Sequence, residues 1–354
     1  MVDARNHPAR TRGFLSLVVL GVVALLTVVS CTPAKDAMRL VDMMTGAILP
    51  PEFALYVQSP KAEKSIRPIT RWKDPSAVTV SGKRILVLDT GNDRILELNE
   101  KGQVASILCE SGPCAFLLKH PMAMASHDGL LYIANTEKGQ VALLTLGGEI
   151  VDLIDLPRES SVSPEPRPMG IVVSNSGEFF VSDAAGNRVL RYGATRELLG
   201  VLGEGQSGDK YSFSEPRGLA LDDQGNLFVA DSGNGRVKKF SPSGRHLAEY
   251  AMRDNPHFWA PQAIAVGPEG TVYFTSEGRM VVPAYAPEGD WVGIVGLLDA
   301  SREDSPGVLR KPYGLHMEGK RLYVMDLVGG LYAFDVDGRY WASSLANSGG
   351  IAPH

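Results

Sequence analysis

The sequence predicts an all-β fold, and three observations carry that prediction. The first is a period. A proline opens an apolar stretch at Pro75, Pro121, Pro168, Pro216, Pro261 and Pro312, in steps of 46, 47, 48, 45 and 51 residues. A period of that size means one supersecondary unit copied in series. The second is alternation. After the prolines come SAVTV (76–80), MAMAS, MGIVV, RGLAL, QAIAV and YGLHM, and then ILVLD, LYIAN, FFVSD, LFVAD, VYFTS and LYVMD. Short runs of period two are strands. The third is the punctuation: Gly-rich turns such as DDQGN (222–226) and GPEG (267–270) separate the runs, and no helical period is sustained after the leader. A third run, as in RVLRY (188–192), and a weaker fourth complete a four-stranded antiparallel blade. Six such units make a six-bladed β-propeller, preceded by a signal or anchor segment. The ring answers a burial problem, because a lone meander has two apolar faces and can cover neither.

In chain order, residues 1–30 form the leader. Arg5, Arg10 and Arg12 precede Gly13–Ser30, which holds no charge and ends at Cys31. Two readings stay open: a cleaved secretory leader, or an uncleaved helix whose 18 uncharged residues sit at the lower limit for crossing a bilayer. Residues 31–60 form a tether, in which ILPP (48–51) stops any helix begun at 34–44. They also supply a ring-closing strand. The last unit shows only three clear strands before Trp341, so FALYVQ (53–58) is expected to be its fourth. The propeller spans 61–345, and 346–354 is a tail.

Cys109 and Cys114 flank a Ser-Gly-Pro turn, and in an oxidising compartment they are expected to form a disulfide that staples the loop. Without its first 30 residues the chain carries 32 basic and 39 acidic residues. That balance excludes the basic field of a nucleic-acid binder.

The polar turn after each second run holds Asp89, Asn135, Asp183, Asp231, Ser276 and Asp326, with Arg94, Gln140, Arg188 and Arg236 five residues after the first four. In a meander these turns share one end of the ring with the blade-to-blade connections. Two readings follow. The groups form a polar rim that binds a ligand, or each Asp caps its turn while each Arg ties neighbouring turns together. Recurrence in most copies favours the structural role. What is unique lies in the connections 105–120, 152–167, 200–215 and 296–311, where recognition commonly resides. His120, just before a blade proline, is a further candidate for the channel mouth. His127, His246, His257, His316 and His354 do not repeat at equivalent places, so no metal site is assigned, although three His from different blades could hold zinc. No nucleophile elbow and no phosphate loop occurs.

The segment GEGQSGDKYSFSEPRGLALDDQGNLFVADSGNGRVKKFSPSGR (203–245) resembles the NHL repeat throughout, and 73–102 and 167–192 resemble it nearly as well. The second, fifth and sixth copies depart from the pattern at Asn135, at TSEGRM and at DLVGG. The resemblance implies the propeller and no particular activity. Among propellers of this kind, peptidyl-α-hydroxyglycine amidating lyase binds zinc through three His and also holds calcium, and gluconolactonase-like enzymes use scattered Glu, Asn and Asp on one divalent ion. Neither residue set is matched here. Val28-Val29-Ser30-Cys31 resembles the lipobox of bacterial lipoproteins. That implies cleavage before Cys31, acylation there, and stable attachment to a membrane; Thr32 in place of Asp points to the outer membrane in a Gram-negative source. The expectation is a lipid-anchored envelope propeller that binds an envelope protein, a peptide or a saccharide without cofactor. A zinc- or calcium-dependent lyase or lactonase is the alternative.

Overall fold

The computed structural model describes residues 65–66 and 72–336, apart from 100–101, 159–163, 204–208, 251–259, 277–279, 297–308 and 329. Every described residue belongs to one compact unit, Leu55–Leu298 with Asp304–His354. Cys31, the leader, the tether with 53–58, His257, His354 and the tail lie outside the described residues.

Six four-stranded antiparallel sheets form the described part, and each is a meander in chain order. The first blade runs β2 (Ala77–Ser81), β3 (Arg84–Asp89), β4 (Arg94–Leu98) and β5 (Val104–Leu108). The second runs β6 (Ala123–His127), β7 (Leu130–Asn135), β8 (Gln140–Thr145) and β9 (Ile150–Asp155). The third holds β10 (Pro168–Val173), β11 (Phe179–Asp183), β12 (Arg188–Tyr192) and β13 (Leu198–Leu202). The fourth holds β14 (Pro216–Leu221), β15 (Leu227–Asp231), β16 (Arg236–Phe240) and β17 (His246–Tyr250). The fifth comprises β18 (Pro261–Val266), β19 (Val272–Ser276), β20 (Val282–Tyr285) and β21 (Trp291–Val295). In the sixth, β22 (Pro312–Glu318), β23 (Arg321–Asp326) and β24 (Gly330–Asp335) are completed by β1 (Ser65–Ile66), which pairs with β24.

The N-terminal side of the chain therefore closes the ring, but with Ser65–Ile66 rather than 53–58. Chain length explains the choice. From the last strand of one blade to the first of the next, the chain uses from ten residues (251–260) to sixteen (296–311), and β1 to β2 uses ten. A strand ending at 58 would leave eighteen.

The core sits at the seams. Alternate residues of one strand face opposite neighbours, so Leu86 and Leu88 pack with Leu131 and Ile133 of the second blade. Ile85 and Val87 pack with Tyr323 and Met325 of the sixth. The other four seams hold equivalent clusters, for example Tyr132 with Phe179 and Phe228 with Phe274. Burying each such side chain is worth roughly 1.5–3 kcal/mol, and only a neighbouring blade provides the burial.

Hydroxyls stitch the inner ends of the blades. Thr90 Oγ1 donates to the Pro121 carbonyl at 2.7 Å, Thr136 to that of Pro168 at 2.6 Å and Ser182 to that of Arg217 at 2.6 Å. Ser232 donates to the Pro261 carbonyl at 2.5 Å and Thr275 to that of Tyr313 at 2.6 Å. At the closing seam His316 Nε2 accepts from the Val80 N–H at 3.3 Å. The innermost strands also approach backbone to backbone. A Cβ on Gly170 would lie 2.1 Å from the Arg217 carbonyl oxygen, and one on Gly314 would lie 2.4 Å from that of Ser76.

Candidate functional site

The polar turns hold the wheel together. Asp89, Asp183, Asp231 and Asp326 are at most 1 % exposed. Each Asp takes a backbone N–H from the connection that leads into its own blade: Lys73 at 2.6 Å, Arg167 at 2.8 Å, Ser214 at 2.7 Å and Arg310 at 2.7 Å. The Arg five residues on closes the first three by donating from Nε at 2.8, 3.0 and 3.0 Å. The caps therefore secure the incoming connection as much as the turn itself. In the sixth blade, where no Arg follows, Asp326 accepts from the N–H groups of Lys311 and Val328 as well.

The expected tie from Arg to neighbouring turns is corrected in two blades of three. Arg236 reaches Glu249 in the last strand of its own blade, and Arg94 reaches Glu110 in the connection that leaves its own blade. Arg188 does cross, donating to the Pro157 carbonyl of the preceding connection. Burial opposes the Arg94 charge, but the Asp89 and Glu110 carboxylates outweigh it and hold the guanidinium above its ordinary value. The departure in the second blade is a matched exchange. Asn135 Nδ2 donates to Gln140 Oε1 at 3.2 Å and to the Leu117 carbonyl at 3.1 Å, while its Oδ1 accepts from Lys119 N–H. An amide replaces the ion pair where a carbonyl must also be held.

His120 is exposed, with φ +44°, and its N–H donates to Asp93 Oδ1 at 2.6 Å. Asp74 and Glu215, which also precede blade prolines, share that left-handed backbone. Cys109 and Cys114 are joined. Among the described residues, no three His, Cys, Asp or Glu side chains come together as metal ligands, and no helix is long and apolar enough to cross a membrane.

What the sequence reading passed over is the residue after each proline. These are Ser76, Met122, Met169, Arg217, Gln262 and Tyr313, and all six line one cavity of about 70 Å³ at the axis. Proline gives no N–H to a ladder and favours a bulge, and a bulge re-aims a side chain. In blades three to six the register shifts directly after Pro168, Pro216, Pro261 and Pro312, and the shift falls at Met169, Arg217, Gln262 and Tyr313. The next position is Ala or Gly in every blade, which keeps the inner strands close and the lumen narrow. With liquid water occupying about 30 Å³ per molecule, the cavity takes a single side chain or small group.

Its chemistry is asymmetric. Met122, Met169 and Tyr313 supply soft apolar surface. Opposite in kind, Arg217 donates from Nη1 to Gln262 Oε1 at 2.5 Å, and Gln262 is fixed by donating to the Ala260 carbonyl at 2.9 Å. Among the described residues no acceptor meets the buried Arg217 Nε, an arrangement that costs roughly 1–3 kcal/mol. Glu215 is 3.5 Å away, and the guanidinium side chain keeps 22 % exposure. The signal was available in the sequence. In a repeat, a position that takes five residue types in six copies is released from structural duty.

Comparison with known proteins bears on the fold. The NHL repeat profile matches residues 213–240, which cover β14 to β16. No characterised protein matches the chain in sequence. Among solved structures, a streptogramin B lyase is 14 % identical, with a TM-score of 0.54 over 77 % of this chain and 87 % of that one. A catalytically inactive virginiamycin B lyase from Staphylococcus aureus, solved with quinupristin, is 15 % identical, with a TM-score of 0.55 over 77 % and 99 %. A gluconolactonase from Xanthomonas campestris is 15 % identical, with a TM-score of 0.55 over 82 % and 95 %. At these identities the likeness is one of fold alone.

Proposed function

We propose that the protein is an exported, lipid-anchored binding module of the cell envelope, and that it holds a peptide or protein segment at the axial mouth. One observation carries the reading: the variable position after each blade proline converges on the axis of an otherwise repeating ring, and Arg217 there presents a buried donor with no acceptor among the described residues. Arg217 suits a carbonyl or carboxylate. Met122 and Met169 suit an adjoining apolar side chain, since thioethers adapt to varied shapes. The peptide is therefore expected to pair an acidic or amide group with an apolar neighbour. Long connections at the same end of the ring provide the rim of the contact. Export and anchoring rest on the charge-free stretch before Cys31 and its lipobox-like context.

The test is selection from a displayed random-peptide library on the full-length protein. Enrichment of a motif of that kind, lost on the triple variant Met169→Ala, Arg217→Ala, Tyr313→Ala with unchanged melting, supports the proposal. No enrichment, or a motif retained by the variant, overturns it. So does a stoichiometric zinc or calcium whose removal abolishes a lyase or lactonase activity. Mass spectrometry of the mature N-terminus checks the anchor: acyl groups on Cys31 are expected, and an intact leader contradicts them.

A further inference from the structure

A second feature of the same end of the ring is confined to one blade. Phe116 is 93 % exposed, more than any other large apolar side chain among the described residues. Its backbone is left-handed, with φ +63°. For a bulky residue such a conformation persists only where the surroundings impose it, and such residues gather at binding sites.

Everything around Phe116 is pinned. Two residues before it, Cys114 is joined to Cys109, and both sulfurs sit in the core cluster shared by the first two blades. Two residues after it, Leu118 is 1 % exposed in that cluster. The Leu117 N–H donates to the Cys114 carbonyl at 3.1 Å, and the Leu117 carbonyl accepts from Asn135 Nδ2. Asn135 stands where four of the other five blades carry Asp, whose carboxylate could not donate to that carbonyl. The disulfide, the Asn exchange and the left-handed Phe are three departures from the repeat. All three act on this loop.

We infer that Phe116 is a preformed anchor that inserts into an apolar socket on a protein partner. The inference rests on the reading of the ring as a binding module. A protein is the occupant because of the charges around the loop. Glu110, Lys119, Glu137 and Lys138 carry both signs; that suits the polar rim of a protein interface and lacks the basic cluster that draws a segment to anionic lipid. A rigid exposed aromatic is also the side chain most often found at the energetic centre of an interface.

The experiment places the photoreactive residue p-benzoylphenylalanine at position 116, and in a second arm at position 313, of the full chain in cells of the source organism. A protein captured from 116 is identified, purified and titrated against wild-type protein and Phe116→Gly. The variant removes the ring and relieves the left-handed backbone, so its melting temperature is expected to be unchanged or raised. Its affinity is expected to fall by about 30-fold or more, the scale of a hot-spot residue. An affinity within threefold of wild type overturns the inference, as does a lowered melting temperature, which would mean that Phe116 packs. Adducts to lipid alone, or co-sedimentation with phosphatidylethanolamine–phosphatidylglycerol vesicles lost in Phe116→Gly, overturn it in favour of a membrane contact. Capture from 313 but not from 116 removes the anchor and leaves the axial mouth standing; capture from 116 alone does the reverse.

Discussion

Gly314 is where ring closure can be tested with one methyl group. Its Cβ would meet the Ser76 carbonyl oxygen at 2.4 Å and Ala77 Cα at 3.1 Å, where ordinary contact begins at 3.4 Å. Both obstacles are backbone at the entry to β2, so neither can swing aside. To admit Gly314→Ala, the seam between β22 and β2 must open by roughly 1 Å. Forcing atoms into a packed interface typically costs about 1–3 kcal/mol. For a domain of this size each kcal/mol lowers the midpoint by about 2–4 °C, so a fall of about 2–12 °C is expected. Gly200→Ala is the control, because no atom lies within 4 Å of its Cβ. There the gain in unfolded-state rigidity should leave stability unchanged or raised by up to about 1 kcal/mol. Calorimetry on the three proteins reads the difference. A midpoint for Gly314→Ala within 1 °C of wild type, or an equal fall in Gly200→Ala, would refute the close approach of first and last blades.

Three further outcomes follow from the same contacts. Asp89→Asn sets an amide against the donors of Arg94 and Asn92 and should destabilise by about 3 kcal/mol, the scale of a broken buried pair. Adding Arg94→Gln recreates the Asn135–Gln140 arrangement and should recover at least half of the loss in denaturant titrations, a coupling of order 1 kcal/mol or more. Lys238 is fully buried and donates to the Ser212 carbonyl at 2.5 Å, while burial pulls its ammonium below its ordinary value despite Asp231. Lys238→Met strands that carbonyl and should lower stability by roughly 1–3 kcal/mol, read by urea unfolding. The Arg84 guanidinium holds the Glu97 carboxyl below its usual 4.5, against the effect of burial. Because the folded value is depressed, that stabilisation is complete above about pH 4.5 and is lost as pH falls through the folded value. Arg84→Ala should therefore narrow the acid-stable range, and a stability–pH profile that superimposes on wild type would contradict it.

The architecture was legible because burial in a repeat is itself periodic. The prolines, the five-residue runs and the Asp turns recur because each meets the same neighbour in every blade. Ring closure was legible in kind but not in place, because Ser65–Ile66 carries no alternation to mark it and only the length of the connection to β2 selects it. The Asp–Arg pattern was visible as recurrence, yet its reach was not: whether Arg94 turns to Glu110 or to another blade depends on side-chain direction. Met169, Arg217 and Tyr313 were hidden for a different reason. They lie within or beside alternating runs and look like strand residues until the bulge after the proline turns them to the axis. Phe116 was masked by its setting between Cys114 and Leu118, where an apolar residue reads as core; its left-handed backbone reverses the reading.

The most direct measurement of the central claim is hydrogen exchange across the chain with and without a peptide selected on the full-length protein. Binding at the axis predicts slowed exchange at the starts of β6, β10, β14, β18 and β22, beside Met122, Met169, Arg217, Gln262 and Tyr313, and unchanged exchange in the outermost strands. Protection confined to β9, β13 or β17 at the rim, with the inner strands unaffected, would contradict it.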